Sequence, residues 1–313
     1  MADRIEVFDR RLLRQHRERA AVTLAAHGFL IAEIATRLVD RLADIRRNFP
    51  TALNLGCHTG FIAKAAESLT ADKIGPLVQA DLSPRMAATA RDNTSLPAIA
   101  ADEEFLPFGD ASFDLVISCA NLHHVNDLPG ALVQIQRALK PDGVFLAALF
   151  GGATLTELRQ AWLAAESAEE GGVSPRVAPF ADLSDAAGLL QRAGFALPVA
   201  DSDTITVTYN NPLKLMADLR DMGETNALIE RRHTPTRRAT LMAAAEQYMA
   251  QFADSDGRAP ATFEILYLTG WAPAADQPQA LRPGSATSRL ADALDAPERP
   301  AGKKPGCAEK RPV

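Results

Sequence analysis

Cysteine is scarce in this 313-residue chain. Its three cysteines, Cys57, Cys119 and Cys307, lie far apart and form no CxxC pair. This spacing matches neither a zinc-binding motif nor an even set of disulfide partners. The cysteine content favours a reducing compartment, and we therefore expect a cytoplasmic protein.

Long apolar runs and an excess of positive charge are also missing. Arg, Glu and Asp interrupt every apolar stretch before it reaches the roughly 18 residues of a membrane span. A net charge of −6 excludes the broad basic surface that phosphate-backbone binding requires. The first residues have no apolar signal core, and Asp3, Glu6 and Asp9 argue against an acid-poor transit peptide. We expect no nucleic-acid partner, no membrane span and no processed leader.

The chain does contain a regular alternation of two patterns. Helical patterns at 60–69, 84–92 and 128–139 separate four short apolar runs, at 51–55, 76–80, 113–118 and 143–149. Such alternation is typical of βαβ units and a parallel sheet. The sequence therefore predicts an α/β protein with a Rossmann-like fold.

Three regions follow from composition and periodicity. Residues 1–48 are rich in Arg and Ala with helical spacing, which predicts N-terminal helices with a break near Gly28 that form a cofactor lid. Residues 49–272 should form the main domain, with a helical and strand elaboration after the fifth strand and substrate-cap elements over 150–235. Residues 273–313 are rich in Pro, Ala and Ser and predict a disordered tail.

Two glycines mark the turn after the first apolar run, in TALNLGCHTGFIAKAA. Gly56 and Gly60 flank a strand-to-helix turn, a geometry that lets backbone amides approach a ligand closely. This G-x-x-x-G spacing is a weak signal alone, because an ordinary strand-to-helix turn can use the same glycines.

Acidic residues follow the second and third apolar runs. Asp81 stands where a carboxylate can accept both ribose hydroxyls of a nucleoside, although it could instead cap the helix that starts at Pro84. Asp102 or Glu103 can accept the adenine amino group. In this order the signals predict an S-adenosylmethionine site in a class I methyltransferase fold. We assign to it Asn54, Gly56, Cys57, His58, Gly60, Asp81, Leu82, Met86, Asp102, Glu103 and Cys119. Arg14 is added from the arginine-rich start, whose members Arg10, Arg11, Arg14, Arg17 and Arg19 could fold over the cofactor mouth and hold its carboxylate or could form a solvated helix face.

Over about residues 8–271 the chain resembles the family of the mitochondrial complex I assembly factor 5 and its bacterial relatives. The resemblance includes FDRRLLRQHRERAA, NLHHVNDLPGALVQIQRALKPDGVF, AEEGGVSPRVAPF, LMADLRDMGETNA and PATFEILYLTGW. It implies an S-adenosylmethionine cofactor, an arginine on a subunit of the respiratory NADH dehydrogenase as substrate, and hydroxylation rather than methylation. The chain is more distantly similar to the biotin-pathway methyltransferase of malonyl-acyl carrier protein.

Two positions depart from the family motif DLGCGxG. Asn54 replaces the acidic residue and carries no charge for the methionine amino group, and His58 replaces the middle glycine, where positive φ would disfavour a side chain. Three hypotheses therefore stay open: an arginine-modifying enzyme, an ordinary methyltransferase acting on a small molecule or a carrier protein, and a non-catalytic assembly factor with a decayed cofactor site.

The adjacent residues His123 and His124 follow the fourth strand and are the candidate catalytic residues. They could remove a proton or orient the substrate. Alternatively, one could pack under the loop while the other faces water. Spacing alone indicates no set of two histidines and a carboxylate, so we assign no metal ligand. A basic substrate could be recognised by four acidic residues, or these could form a solvated helix face: Glu157, Glu166, Glu169 and Glu170.

Overall fold

One seven-stranded sheet organises the part of the chain that the structure describes. The computed structural model of the protein describes residues 6–70, 72–278, 285 and 288–297. The sheet has the order β3-β2-β1-β4-β5-β7-β6. Its strands are β1 (Ala52–Leu55), β2 (Leu77–Asp81), β3 (Ala98–Ala100), β4 (Phe113–Cys119), β5 (Leu139–Phe150), β6 (Ala196–Tyr209) and β7 (Ala259–Trp271).

Strands β1 to β5 are parallel, whereas β7 runs antiparallel to both β5 and β6. The predicted α/β, Rossmann-like methyltransferase fold is confirmed. Strand order reverses between β1 and β4, which lie side by side at the centre. In open sheets of this kind, ligands bind in the crevice at the carboxyl ends of the strands where the order reverses.

Helices cover both faces of the sheet because its central strands are buried on both sides. In β4, Leu115 and Ile117 belong to one hydrophobic core and Val116 belongs to the other. Alternate residues of a strand point to opposite faces, so a strand that is apolar throughout needs a cover on each face. Parallel central strands are therefore held rigidly, and the loops at their ends start from fixed positions.

Three helices precede the sheet where the sequence predicted two: α1 (Arg10–Ala20), α2 (Leu24–His27) and α3 (Phe29–Ala43). Asp9 caps α1 by accepting a hydrogen bond from the amide of Leu12 at 2.9 Å. The amides of Val7 and Phe8 both donate to Asn126 Oδ1 at 2.7 Å. The start of the chain is thereby tied to the loop after β4, and this contact places α1 over the carboxyl edge of the sheet.

Of the seven later helices, the first three lie close to the predicted positions 60–69, 84–92 and 128–139. The seven are α4 (Phe61–Leu69), α5 (Pro84–Thr94), α6 (Leu128–Ala138), α7 (Thr156–Glu170), α8 (Leu183–Arg192), α9 (Pro212–Met222) and α10 (Arg238–Phe252). Strand β6 pairs with β7 along nearly its whole length. Among the described residues, no helix combines the length and low polarity that a membrane crossing needs.

The predicted tail is described only in part. The described residues up to Ala274 belong to one compact unit, and a second unit begins at Ala275. In that second unit, Leu290–Ala293 form one helical turn, α11. The rest of the predicted disordered tail, including Cys307, lies outside the described residues, apart from 275–278, 285, 288, 289 and 294–297.

Candidate functional site

The turn between β1 and α4 has the backbone conformation that its glycines predict. Gly56 and Gly60 have φ values of +75° and +96°, in the left-handed region. A Cβ on Gly56 would lie 2.1 Å from Cγ of Asn121, so no side chain fits there. The amide of Gly56 donates to the carbonyl of Ala80 at 2.8 Å, which fixes the turn against β2.

His58 occupies the middle of this turn with a left-handed φ of +49°. Its imidazole is buried, and Nε2 donates to the carbonyl oxygen of Cys119 at 2.9 Å. Burial and the nearby charge of Arg17 lower the pKa of His58, so the ring is neutral. The departure from glycine is thus accommodated, and the ring ties the ends of β1 and β4 together.

Asn54 lies on β1, directly before this turn. Its side chain is fully buried, and neither Oδ1 nor Nδ2 has a hydrogen-bond partner among the described residues. Buried amide groups are nearly always paired, because leaving one unpaired costs about 1–3 kcal/mol. Asn54 therefore presents unused hydrogen-bonding capacity at the point where the family motif carries an acidic residue.

Asp81 ends β2, where the sequence placed it. Its Oδ2 accepts a hydrogen bond from the amide of His58 at 3.0 Å, and its Oδ1 accepts one from the amide of Ser83 at 2.9 Å. Burial raises the pKa of Asp81, and the charge of Arg17 opposes this effect. Ser83 caps α5 by accepting the amide of Met86 at 3.1 Å, so the alternative that Asp81 caps this helix is wrong.

Two arginines of α1 reach the acidic residues of this edge. Nη1 of Arg17 lies 3.1 Å from Oε1 of Glu103 and 3.9 Å from Oδ1 of Asp81. Arg10 donates to Asp102 at 2.6 Å and also pairs with Glu103. Burial alone would raise the pKa of Glu103, but the two guanidinium groups hold it at about 2. We call these five residues the arginine–carboxylate cluster.

Arg14 does not join the arginine–carboxylate cluster. Its side chain is 55% exposed, and Glu18, its recorded carboxylate partner, lies 3.9 Å away. Arg10 and Arg17 are seven residues apart, which is two helical turns, and share the inner face of α1. The structure therefore does not bring Arg14 to these acidic residues, and Arg10 and Arg17 contact them instead.

The remaining assigned residues support the turn from behind. Cys57 and Cys119 are buried, and burial raises the pKa of both thiols. Met86 is fully buried in the core, and Leu82, which follows Asp81, is half-buried. One residue that the sequence did not indicate is Asn121, whose Nδ2 donates to Glu103 at 2.9 Å.

His123 and His124 lie on a 3₁₀ turn, Leu122–His124, directly after β4. Both are buried, so the alternative that one of them faces water is wrong. Glu224, in the loop after α9, places Oε2 at 3.3 Å from Nε2 of His123 and 3.8 Å from Nε2 of His124. We call these three residues the His–His–Glu cluster.

Proton positions in the His–His–Glu cluster follow from burial and mutual contact. Burial would raise the pKa of Glu224, but the two imidazoles beside it lower its pKa to about 2. Burial, together with His123, lowers the pKa of His124 well below its ordinary value. The cluster therefore holds one ionised carboxylate and a neutral His124 ring. Nδ1 of both rings is buried with no hydrogen-bond partner among the described residues.

A cleft of about 460 Å³ opens beside the His–His–Glu cluster, and His124 and Glu224 line it. Its walls come from α1 and from residues within 150–180 and 216–232, with one further residue on β7. Four aromatic residues line it: Phe150, Trp162, Phe180 and Phe263. Five arginines line it as well: Arg19, Arg176, Arg220, Arg231 and Arg232.

Three of the four acidic residues named on α7 bind other parts of the fold, and none of the four lines this cleft. Glu166 accepts a hydrogen bond from Nε of Arg176 at 2.6 Å, and Glu170 forms an ion pair with Arg232. Glu157 accepts the hydroxyl of Thr262. The carboxylate that does line the cleft, Glu224, was missed because it stands a hundred residues after the histidines. Its segment, DMGETNA, contributed to the family resemblance but did not single out this residue.

Comparison with known proteins agrees with this architecture. Residues 53–147 match a family model described as a methyltransferase domain. The chain is 43% identical to the human mitochondrial arginine-hydroxylase NDUFAF5, over 90% of this chain and 82% of that protein. The Danio rerio protein of the same name is 40% identical, over 92% and 89%. A malonyl-[acyl-carrier protein] O-methyltransferase of Halorhodospira halophila is 35% identical, over 84% and 88%.

Solved structures show the same fold at low sequence identity. A candidate methyltransferase from Bacillus halodurans is 17% identical and superimposes with a TM-score of 0.54, covering 77% of this chain and 100% of that chain. The YcgJ protein from Bacillus subtilis is 17% identical with a TM-score of 0.50, covering 77% and 98%. At this identity the likeness shows the fold alone.

The names of these relatives correct one expectation and settle the family. The NDUFAF5 proteins of human, zebrafish and rat are named mitochondrial, so the expectation of a cytoplasmic protein is wrong. Similarity to them runs through the cofactor half and the cleft alike, since it spans about nine tenths of the chain. The chain belongs to the arginine-hydroxylase NDUFAF5 family of methyltransferase-fold enzymes.

Proposed function

We propose that the protein binds S-adenosylmethionine and modifies an arginine side chain on a subunit of the respiratory NADH dehydrogenase, during assembly of that complex. The observation that carries this proposal is the 43% identity to an arginine hydroxylase over 90% of the chain. Because that similarity includes the cleft as well as the cofactor edge, it favours a shared substrate class over a merely shared fold.

The cofactor edge fits the cofactor at four positions. Gly56 keeps the backbone close to the crevice, and the unpaired amide of Asn54 can bind the methionine end. Asp81 and Glu103 end β2 and follow β3, where carboxylates suit ribose hydroxyls and the adenine amino group. When bound, S-adenosylmethionine supplies an electrophilic methyl group on a sulfonium centre.

Binding at these acids requires α1 to move. Arg17 contacts both Asp81 and Glu103, so its guanidinium stands between the two groups assigned to the nucleoside. We therefore retain residues 1–48 as a lid over a domain of 49–272, with the cap elements 150–235 forming the substrate side. In this arrangement Arg17 exchanges a carboxylate partner for the ligand as the lid opens and closes.

The aromatic walls of the cleft suit the side chain of a substrate arginine. The guanidinium of Arg176 already lies over the ring of Trp162, with 4.6 Å between its Cζ and the ring centroid. Guanidinium groups stack on aromatic faces favourably, and the contact of Arg176 with Trp162 is an example within the cleft that supports this proposal. His123 and His124 lie at the inner end, where they can orient the substrate or accept a proton from it.

Calorimetric titration of the full chain with S-adenosylmethionine tests the cofactor half of the proposal. Wild type should bind, and Asp81→Asn should remove binding, because the amide cannot accept both ribose hydroxyls. Asp110→Asn is the matched control, because it makes the same substitution at an exposed residue that pairs with Arg137. If wild type gives no heat while His58→Gly binds, the site has decayed and the enzyme proposal fails.

A second candidate function is favoured by the cleft's charge. Burial and the like charge of Arg220 lower the pKa of Arg19, which shows two cations held near each other at the cleft. Such a pair suits a carboxylate, as on a malonyl-carrier protein. Mass analysis distinguishes the two: added oxygen on an arginine peptide supports the first function, and a methyl ester on a malonyl-carrier protein supports the second.

A further inference from the structure

Two imidazoles and one carboxylate converge at the inner end of the cleft. The possible ligand atoms of His123, His124 and Glu224 all lie within 4.8 Å of one another. All three side chains are more than nine tenths buried, since 2% of His123, 4% of His124 and 9% of Glu224 is exposed. This donor set, with open positions, is the one that non-haem iron(II) enzymes use.

The spacing of these atoms fits a metal ion. A first-row ion bonded at about 2.0–2.2 Å to three donors at right angles separates those donors by roughly 3 Å. Here Oε2 of Glu224 lies 3.3 Å from Nε2 of His123 and 3.8 Å from Nε2 of His124. Both separations exceed that value by less than about 1 Å, and all the possible ligand atoms lie within 4.8 Å of one another, so side-chain rotation is needed to bring the three donors to one ion.

The cluster also has a side that the protein does not cover. His124 and Glu224 line the cleft of about 460 Å³, while His123 lines a separate cavity of about 160 Å³ with Phe150 and Phe180. The cleft side offers room for further ligands, such as water or substrate. Structural metal sites are closed by protein ligands, whereas catalytic sites keep open positions.

We propose that His123, His124 and Glu224 bind a divalent first-row transition metal, with iron(II) as the ion of matching donor preference, and leave its remaining positions open to the cleft. Metal binding stands independently of the proposed function. The placement of the ion beside an arginine substrate rests on that proposed function. An arginine hydroxylase needs a centre that handles the oxidant, and the cofactor edge contains none among the described residues.

The surroundings of the two rings set the expected strength of binding. Metal-bound histidines usually donate their second ring nitrogen to an acceptor, and loss of that acceptor weakens binding by about 10- to 100-fold. Nδ1 of both His123 and His124 has no such partner among the described residues. We therefore expect a metal that exchanges and that dialysis against a chelator removes, rather than one retained through purification.

Titration of the metal-free full chain with cobalt(II), followed by its visible absorption, tests the site directly. Wild type should bind one equivalent, and iron(II) added without oxygen should compete for it. His124→Gln and Glu224→Gln should each weaken binding by at least about tenfold, since each removes one of three donors. His27→Gln is the matched control, because His27 also contacts a carboxylate, Asp218 at 2.9 Å, outside the cluster.

Circular dichroism of each variant establishes that it is folded. If one of the two cluster variants does not fold, the other and the cobalt(II) spectrum of wild type decide the question. The proposal is overturned if folded wild type binds no stoichiometric cobalt(II), or if His124→Gln and Glu224→Gln bind it as wild type does. Loss of S-adenosylmethionine binding with intact cobalt(II) binding would instead remove the proposed function and leave the metal site standing.

Discussion

Two buried polar clusters lie at the same edge of the sheet, and they differ in how their charges are balanced. In the arginine–carboxylate cluster, Arg17 and Arg10 face Glu103 at hydrogen-bond distance, so permanent charges of opposite sign neutralise each other. In the His–His–Glu cluster, the single carboxylate of Glu224 faces imidazoles that can be neutral. The first cluster leaves its acids occupied, and the second leaves ring nitrogens unused.

The difference concerns which groups are already paired before any ligand binds. An arginine cannot lose its proton in a protein, so a buried guanidinium stays charged and needs an ionised carboxylate beside it. A histidine can give up its proton and keep a lone pair for a metal or a substrate. Without ligand, the first cluster therefore holds α1 on the sheet, whereas the second already has nitrogen atoms that can bind a metal or a substrate.

The largest effect expected from this comparison follows from Glu103→Gln. The substitution removes the nearer carboxylate of Arg17 and leaves only Asp81, at 3.9 Å, and breaking a buried ion pair costs about 3–5 kcal/mol. The free energy of unfolding, measured by urea denaturation at pH 7, should fall by this amount. The matched control is Glu18→Gln, which breaks the exposed pair to Arg14 and should change the same free energy by less than about 0.5 kcal/mol.

Equal, small losses in Glu103→Gln and Glu18→Gln would contradict the locking role. That result would mean that water reaches Arg17 when Glu103 is removed, so the inner face of α1 is already loosely held. The arginine–carboxylate cluster would then contribute little to holding α1 on the sheet.

The pH dependence of stability provides a second test of the same cluster. The pKa of Glu103 is lowered from 4.5 to about 2 in the folded chain. A lowered pKa stabilises the fold above the unfolded value, near pH 4.5, and this contribution disappears as pH falls toward 2. Its size is on the order of 3 kcal/mol, from about 1.4 kcal/mol per pKa unit.

Urea unfolding at a series of pH values measures this effect. Wild type should lose stability steeply below pH 4.5, and Glu103→Gln should lose it less steeply. Some slope should persist in the variant, because the pKa of Glu224 is also lowered to about 2. An unchanged slope in Glu103→Gln would show that Glu103 is protonated in the fold or exposed in solution.

Glu224→Gln should be less costly than Glu103→Gln. Burial lowers the pKa of His124, so that neighbour leaves no unpaired charge behind, and the charge-assisted hydrogen bond to His123 becomes an ordinary one. The expected loss in free energy of unfolding is about 1–2 kcal/mol, measured without metal. A loss as large as that of Glu103→Gln would mean that an imidazolium is buried there, and the two clusters would be alike.

Sequence patterns predicted the first cluster's acids better than its bases. Asp81 and Glu103 stand at strand ends, and strand ends follow from apolar runs and turn residues that are local in sequence. Which arginine of the run 10–19 faces inward depends on the rotation of α1. That rotation is fixed by the contacts of Val7 and Phe8 with Asn126, more than a hundred residues away.

The second cluster could not be completed from sequence for the same reason. His123 and His124 follow directly from β4, and their position was predicted. Glu224 reaches them because the chain returns through α9 before β7 inserts beside β5 in the antiparallel direction. No local pattern encodes that return, so a ligand set of two histidines and one carboxylate emerges only in three dimensions.

The smallest effect is expected for Arg14→Ala, which tests the rotation of α1 directly. Arg14 is 55% exposed and contacts Glu18 in the next turn, so stability should change by less than about 0.5 kcal/mol. Calorimetric affinity for S-adenosylmethionine should stay within about twofold of wild type, which is less than 0.5 kcal/mol. Arg14→Lys serves as the control, because it keeps the charge and removes the planar guanidinium.

A marked loss of cofactor affinity in Arg14→Ala, without loss of stability, would carry a definite structural meaning. Arg14 lies about 60° around the helix from Arg17, so it could reach the cofactor edge only if α1 turned about its axis when the ligand binds. The arginine–carboxylate cluster would then belong to the closed, ligand-free protein alone. Arg17 would be the residue that holds the lid shut, and Arg14 the one that holds the ligand.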